Sequence, residues 1–328
     1  MKTFALLRGG LAVLAATAAL ALPAAAAQAE GFPARQVRLV VPFPPGGGSD
    51  TQARLLAERL GQLWKQTVVV DNVSGAGGGL AAANVAHARP DGYSVLFATH
   101  PMLAMYPFLY EKLPYDPVKD FAPVVSLLEG PLVLLVPASS PIRSVNDLIQ
   151  AAKDKPGTIN FGSGGVGTTQ HLTGELLKET AGIKLTHVPY RGDGQSMTAL
   201  ISNEIQLLFA SVSSATAQIK GGRVRGIAIT DSKRAPSLPD IPTMAETIPG
   251  FQSTLVYGLL VPKDTPADIV DAINRAANQV LQDPAYARRV QADGVNVRGG
   301  TPEDFDRFLA SERNKWGSLL KRLDIKMD

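Results

Sequence analysis

From residue 37 onward the chain alternates short apolar runs rich in β-branched residues with longer stretches whose apolar positions recur every three or four residues. Val37 to Pro42 reads as a strand, Thr51 to Leu63 as a helix, and Thr67 to Asn72 as the next strand. Within the helical stretch Ala53, Leu56, Ala57 and Leu60 share one face, and Asp50 near its start favours the positive end of the helix dipole. Strands alternating with amphipathic helices predict βαβ units, and hence an α/β fold built on a parallel sheet covered by helices.

A second set begins after Glu129-Gly130-Pro131, with a strand expected at Leu132 to Val136 and a helix at Ser144 to Ala152. A strand at Ile159 to Gly162 and a helix at Thr168 to Thr180 follow, with Gly182 suited to cap that helix. Leu185 to Val188, Gln195 to Ser202 and Ile205 to Ala210 continue as strand, helix and strand. The tail resumes with a strand at Val256 to Val261, a helix at Thr265 to Gln282 ended by Asp283-Pro284, and helices at Ala285 to Ala292 and Pro302 to Leu323. The middle block is therefore expected to be inserted in the outer one, with residues 30–131 plus 254–328 forming one lobe and residues 132–253 the other.

The N-terminus has the pattern of a secretory signal. Lys2 and Arg8 are its positive charges, Leu11 to Leu22 its apolar centre, and Ala27-Gln28-Ala29 a small-x-small cleavage site, so residues 1–29 are expected to be removed after Ala29. The remaining length of about 300 residues suits two domains. With no cysteine among 328 residues, disulfides, thiolate metal sites, cysteine nucleophiles and a lipid-bearing cysteine are excluded. The expected compartment is the periplasm. The 32 basic residues are scattered and nearly matched by 29 acids, which speaks against a nucleic-acid partner. No heptad seam announces an oligomer, so a monomer is expected.

The chemistry concentrates in three glycine-rich turns, each following an apolar strand and leading towards a helix: Pro42 to Asp50, Ser74 to Gly79, and Gly162 to Thr169. Glycine lets backbone approach a ligand closely, and the helix that follows presents unpaired N–H groups with a positive dipole. Such turns suit anions. The second turn is open to a purely packing role. Gly162, Gly164 and Gly167 match G-x-G-x-x-G, but no acid stands at the end of the following strand, where the ribose of a dinucleotide would be held. No turn ends in the Gly-Lys-Ser/Thr of a nucleotide-phosphate loop, and neither His87 nor His187 has metal-ligand spacing to a partner. No cofactor and no metal is expected.

The mature chain resembles the Bug family, the extracytoplasmic solute receptors of tripartite tricarboxylate transporters. The likeness rests on Leu39 to Gly47, Ser74 to Gly78, Pro90 to Tyr93, Leu113 to Asp116, Phe161 to Gly165, His187 to Gly192, Leu238 to Thr243 and Thr301 to Phe305, in that order and spacing. The resemblance implies a two-lobed, Venus-flytrap fold of the type II-like periplasmic-binding class, each lobe a mainly parallel sheet flanked by helices, with two crossovers. It implies a small organic, dicarboxylic or aromatic acid as ligand and membrane transporter subunits as partners, without catalysis. It assigns the ligand's carboxylate to Phe43, Gly46, Gly47 and Asp50, with Thr99 on an adjacent strand end. Ser163, Gly164, Thr168 and Thr169 would face them from the opposite lobe, with Tyr190 and Asp193 shaping the specificity end.

Two stretches depart from the family's usual pattern: Phe209-Ala210-Ser211 carries alanine where many relatives have an acid or amide, and Val256-Tyr257-Gly258 replaces a commoner tryptophan-containing triplet. Asp193 could repel a second carboxylate, receive an amine or hydroxyl, or serve only as a turn residue, and Arg191 is open between surface charge and ligand clamp. Two rival readings stand beside the receptor. One is a periplasmic serine hydrolase using Ser163 with His171, which would need a carboxylate-oriented histidine within reach of the serine. The other is a sensory receptor that presents its ligand to a membrane signalling protein.

Overall fold

The computed structural model describes residues 31–323, so the expected signal segment at residues 1–29 lies outside the described residues. Ten strands form two sheets that share one long strand, β4, which runs from Phe121 to Pro137. In the first sheet β1 (Val37–Val41) lies between β2 (Val68–Asn72) and β3 (Ser94–Thr99), and β9 (Thr254–Pro262) lies between β3 and β4. The short β10 (Asn296–Val297) adds to the far side of β4. In the second sheet β4 lies between β7 (Leu207–Ser211) and β8 (Val224–Ile229), and β5 (Asn160–Ser163) joins β7 to β6 (Thr186–Pro189). The pairs β1–β2, β1–β3, β5–β6 and β5–β7 are parallel, as the βαβ pattern predicts. Those made by β4 and β9 are antiparallel, so each sheet is mixed.

Helices cover both faces of each sheet, and successive strand residues feed opposite layers. In β1, Leu39 packs with α1 (Gly48–Trp64) and α9 (Ala267–Gln282) through Leu56, Leu60 and Ile273. Its neighbour Val40 joins Ala82 of α2 (Gly79–Ala86), Met102 of α3 (His100–Ala104) and Phe305 of α11 (Pro302–Leu323). The four-residue α4 (Tyr106–Leu109) and α10 (Pro284–Ala292) complete these layers. In the second sheet Leu134 packs with α5 (Val145–Asp154) and α6 (Thr169–Ala181), whereas Val133 and Leu135 pack with α7 (Asp193–Ile201) and α8 (Val212–Lys220).

The Glu129-Gly130-Pro131 triplet, read from sequence as the break before a strand at Leu132, lies inside β4. Its residues serve close packing: a Cβ on Gly130 would fall 2.8 Å from the Gly294 carbonyl oxygen. Pro131 pairs with Thr254 at the last rung of the β9 ladder, where a missing N–H removes a single bond. Beside this crossing, Thr230 ties three passages of chain together. Its hydroxyl accepts from Leu132 N–H at 2.8 Å and donates to the Ser253 carbonyl at 2.6 Å, and its own N–H donates to Leu132 O at 2.9 Å. Thr230 is fully buried, so each of these bonds must be made within the protein.

Gly258 of β9 faces Phe305, and a Cβ there would lie 2.2 Å from the ring. Gly258→Ala is expected to lower the unfolding free energy by about 1–3 kcal/mol through overpacking. Urea titration should show a lower midpoint with an unchanged slope; an unshifted midpoint would mean that α11 gives way freely.

Candidate functional site

The carboxyl ends of β1, β3, β5 and β7 point into one cleft between the sheets, and each leads into a helix. Asp50 organises the first glycine turn. Its carboxylate accepts from Gly46 N–H at 2.9 Å and from Asn72 Nδ2 at 3.0 Å, and it pairs with Arg54 at 2.9 Å. Asn72 Nδ2 also donates to the Phe43 carbonyl. Burial alone would push the Asp50 carboxyl up, but the hydrogen bonds from Arg54, Gly46 and Asn72 hold it below its ordinary value. The Asp50 side chain thus shapes the turn instead of lining the cavity.

The first intrahelical bond of α1 joins Thr51 N–H to Gly47 O, which leaves the N–H groups of Gly48, Ser49 and Asp50 without helical acceptors. Gly47, the N-cap, supplies no side chain. Across the cleft the Asp193 carboxylate receives Gln170 Nε2 at 2.7 Å and faces the Gly48 amide at the start of α1. Burial pushes the Asp193 carboxyl up, against the Gln170 hydrogen bond and the nearby Gly48 amide.

The third turn differs from the expected cradle of free amides. Gly164 N–H donates to Gln170 Oε1 at 2.8 Å, Gly165 N–H to Ser163 Oγ at 3.2 Å, and Gly167 N–H to His171 Nδ1 at 3.2 Å. Thr168 caps α6, accepting from His171 N–H. Thr169 follows with a buried hydroxyl that has no hydrogen-bond partner among the described residues. This turn therefore presents side chains and the start of α6, while its own amides hold it rigid.

The elements enclose an inner cavity of about 30 Å³. Phe43, Ser49 and Thr99 line it from the first sheet's side, and Thr168, Thr169, Gln170, Asp193 and Ser211 from the second's. Leu132, Leu255 and Tyr257 of the crossing strands form its floor. An outer cavity of about 770 Å³ opens beside it, where Phe43, Gly164 and Tyr190 meet Pro44, Tyr110 and Val166. Of the expected residues, Phe43 lines both spaces; Gly46, Gly47 and Asp50 line neither but form the turn that carries Ser49. Ser163 lies beneath the third turn, fully buried. Ser49, Gln170, Ser211 and Tyr257 were not among the residues expected, although Ser49 lies within the first flagged turn and Gln170 follows directly on the third. Arg191 stands at the outer cavity with an exposed side chain. The second glycine turn both packs and lines: a Cβ on Gly77 would fall 2.6 Å from the Val166 carbonyl oxygen of the opposite side, and Tyr106 Oη donates to Gly77 O at 2.5 Å.

The Ser163–His171 pairing of the hydrolase reading is not formed. His171 Nδ1 is taken by Gly167 N–H, and its Nε2 faces Glu175 at 3.6 Å. The histidine touching Ser163 is His187, with Nε2 2.7 Å from Oγ, and its ring stacks on His171 at 3.8 Å between centroids. Ser163 Oγ also lies 2.9 Å from Gly165 O, and where the hydroxyl donates there His187 donates to Oγ. A general base would need the opposite polarity. Sequence spacing carried no signal for this contact, which depends on β5 and β6 pairing in parallel, with Ser163 opposite Pro189. Among the described residues no group of three or more histidines and acids is placed to hold a metal ion.

A family profile described as "Tripartite tricarboxylate transporter family receptor" matches residues 52–325. A Pseudomonas sp. (strain P51) protein, described only as a UPF0065 protein of the tcbD-tcbE intergenic region, is 36% identical over 293 residues, covering 89% of this chain and 87% of its own. Two solved structures share the fold along their whole length. An R. palustris protein with adipate is 34% identical at a TM-score of 0.87, covering 90% of this chain and 100% of its own. The periplasmic binding protein BugD is 33% identical at 0.86, with the same coverage of 90% and 100%.

Buried His100 and half-buried His187 contribute to the response to acid. Burial, helped by His171 for His187 and by Lys315 and Arg298 for His100, pushes both down to about 3. In the unfolded chain they take up protons near pH 6.5 while the folded protein does not, so their contribution to stability is full above that pH and is lost as pH falls towards 3. Each is expected to add a slope of about 1.4 kcal/mol per pH unit within that window. Denaturant titrations of wild type and His187→Asn at several pH values check this; an equally steep acid limb in the variant would remove His187 from the account.

Proposed function

The chain belongs to the tripartite tricarboxylate transporter receptor family, and on that premise we propose that it captures a small carboxylate-bearing solute in the inner cavity and hands it to membrane transporter subunits. It is a two-lobed periplasmic solute receptor. Export with cleavage after Ala29, and lobes made of residues 30–131 plus 254–328 and of residues 132–253, are part of the same proposal. One observation carries the choice of ligand: helices α1 and α6 bring their N-termini to one small space from opposite sheets, and it is lined by Thr169, whose buried hydroxyl has no partner among the described residues. Helix N-termini favour anions, and hydroxyls can donate to them. The relative solved with adipate supports the same ligand class.

In this reading the solute's acid group takes the N–H group of Ser49 and the hydroxyls of Thr99 and Thr169. Phe43 and Tyr190 pack on its body in the outer cavity. Neither cavity needs a cation, since each charge-assisted hydrogen bond contributes roughly 1.5–3 kcal/mol and three or four of them reach micromolar affinity after association costs. The inner space of about 30 Å³ suits an acid group more than a whole solute, and in this reading the lobes part to admit one. Contacts made to both lobes at once then favour closure. Nothing in this scheme involves bond making or breaking. A sensory receptor would use the same site and differ only in its membrane partner.

A solute at 100 times its dissociation constant stabilises by about 2.7 kcal/mol, so a thermal-shift panel of organic acids, aromatic acids, amino acids and sugars will reveal it. Acids should raise the midpoint; a response confined to sugars would refute the carboxylate. Thr169→Val should weaken the best acid by roughly tenfold while leaving the unbound midpoint in place, because the lost hydroxyl has no partner to desert. Gly47→Asp, which sets a second carboxylate at the start of α1, is expected to abolish binding by isothermal titration; retained affinity would move the site elsewhere.

A further inference from the structure

Asp193 is the only charged side chain among those lining the inner cavity. It is also fixed in place. Gln170 grips one carboxylate oxygen at 2.7 Å while its own Oε1 holds Gly164 N–H at 2.8 Å, and the Gly48 amide faces the carboxylate from the opposite sheet. Asp193 thus stands over the first turn of α1, 3.8 Å from where a Gly47 Cβ would lie. The Ser49 amide, in the cavity wall, is the seat for a solute's acid group, which then lies beside a carboxylate with no lysine or arginine in the cavity wall to offset the repulsion. Two such groups at close range disfavour one another strongly when screened from water.

A carboxylate can accept about four hydrogen bonds, and among the described residues Gln170 supplies one to Asp193. A donor placed between the two acid groups turns repulsion into a charge-assisted bond. Resting on the receptor reading above, we propose that Asp193 selects, among carboxylates, those bearing a hydroxyl or ammonium group on the carbon next to the acid. The adjacency follows from the α1 turn: Asp193 faces the Gly48 amide and the solute's acid group takes the neighbouring Ser49 amide, so only a substituent at that carbon lies between them. Plain mono- and dicarboxylates lack it.

Matched series test the proposal by isothermal titration: butanoate, 2-hydroxybutanoate and 2-aminobutanoate, and succinate, malate and aspartate. In the wild-type protein the substituted acids of at least one series are expected to bind roughly 10- to 100-fold more tightly than their parent. Asp193→Asn should reduce that ratio to about threefold or less, mainly by strengthening the parent acid. Asp193→Ser is the second variant, for the case that an amide beside Gln170 misfolds, with circular dichroism of both confirming the fold. Equal binding of parent and substituted acids by the wild type, or a ratio preserved in a folded variant, overturns the role of Asp193 and leaves the receptor reading standing. Failure of the wild type to bind any carboxylate, in these series or in the wider panel, overturns both.

Discussion

β4 leaves the first sheet at Pro131 and enters the second at Leu132 without a break, and the geometry of the cleft follows from that continuity. β4 is paired on both sides at Leu128 and Glu129 and again from Val133 to Leu135, so one strand is anchored in both sheets on either side of the crossing. Thr230 reinforces the crossing by joining the β4 passage to the returning chain at Ser253. The floor of the inner cavity, from Leu132 to Leu255 and Tyr257, is made of the same passages. Motion between the lobes is therefore transmitted to the binding space at its base.

The helical parts of the fold were legible because their apolar spacing is regular. The expected helix at Pro302 to Leu323 coincides with α11, and Gly182 caps α6 in a left-handed conformation as expected. The continuity of β4 was hidden because Gly130 and Pro131 carry the same local signal whether they end a strand or admit a neighbour, and only the close approach of Gly294 distinguishes the two. Similarly, the antiparallel insertion of β9 between β3 and β4 leaves no mark in local periodicity.

The candidate site was legible at the level of turns and less so at the level of atoms. Glycine content flagged the first and third turns, and the cavity lies between them. Which amides remain free depended on side chains several residues away. Asp50 and Asn72 organise the first turn, whereas Gln170, Ser163 and His171 satisfy the third. The stacked pair of His171 and His187 supports the third turn from beneath, a role that neither residue's sequence neighbours announce. Both turns are thus held in shape by the protein itself, which lowers the ordering cost that a solute must overcome.

The placement of β9 also sets an order of assembly. All the strands of the second sheet lie within a continuous stretch from β4 to β8, while the first sheet lacks the strand between β3 and β4 until residues 254–262 have emerged. Joining β3 to β9 closes a loop of some 160 residues, a long-range contact of the kind that slows folding. During synthesis the N-terminal strands remain with an unfilled edge. Completion of the first sheet awaits the C-terminal third of the polypeptide.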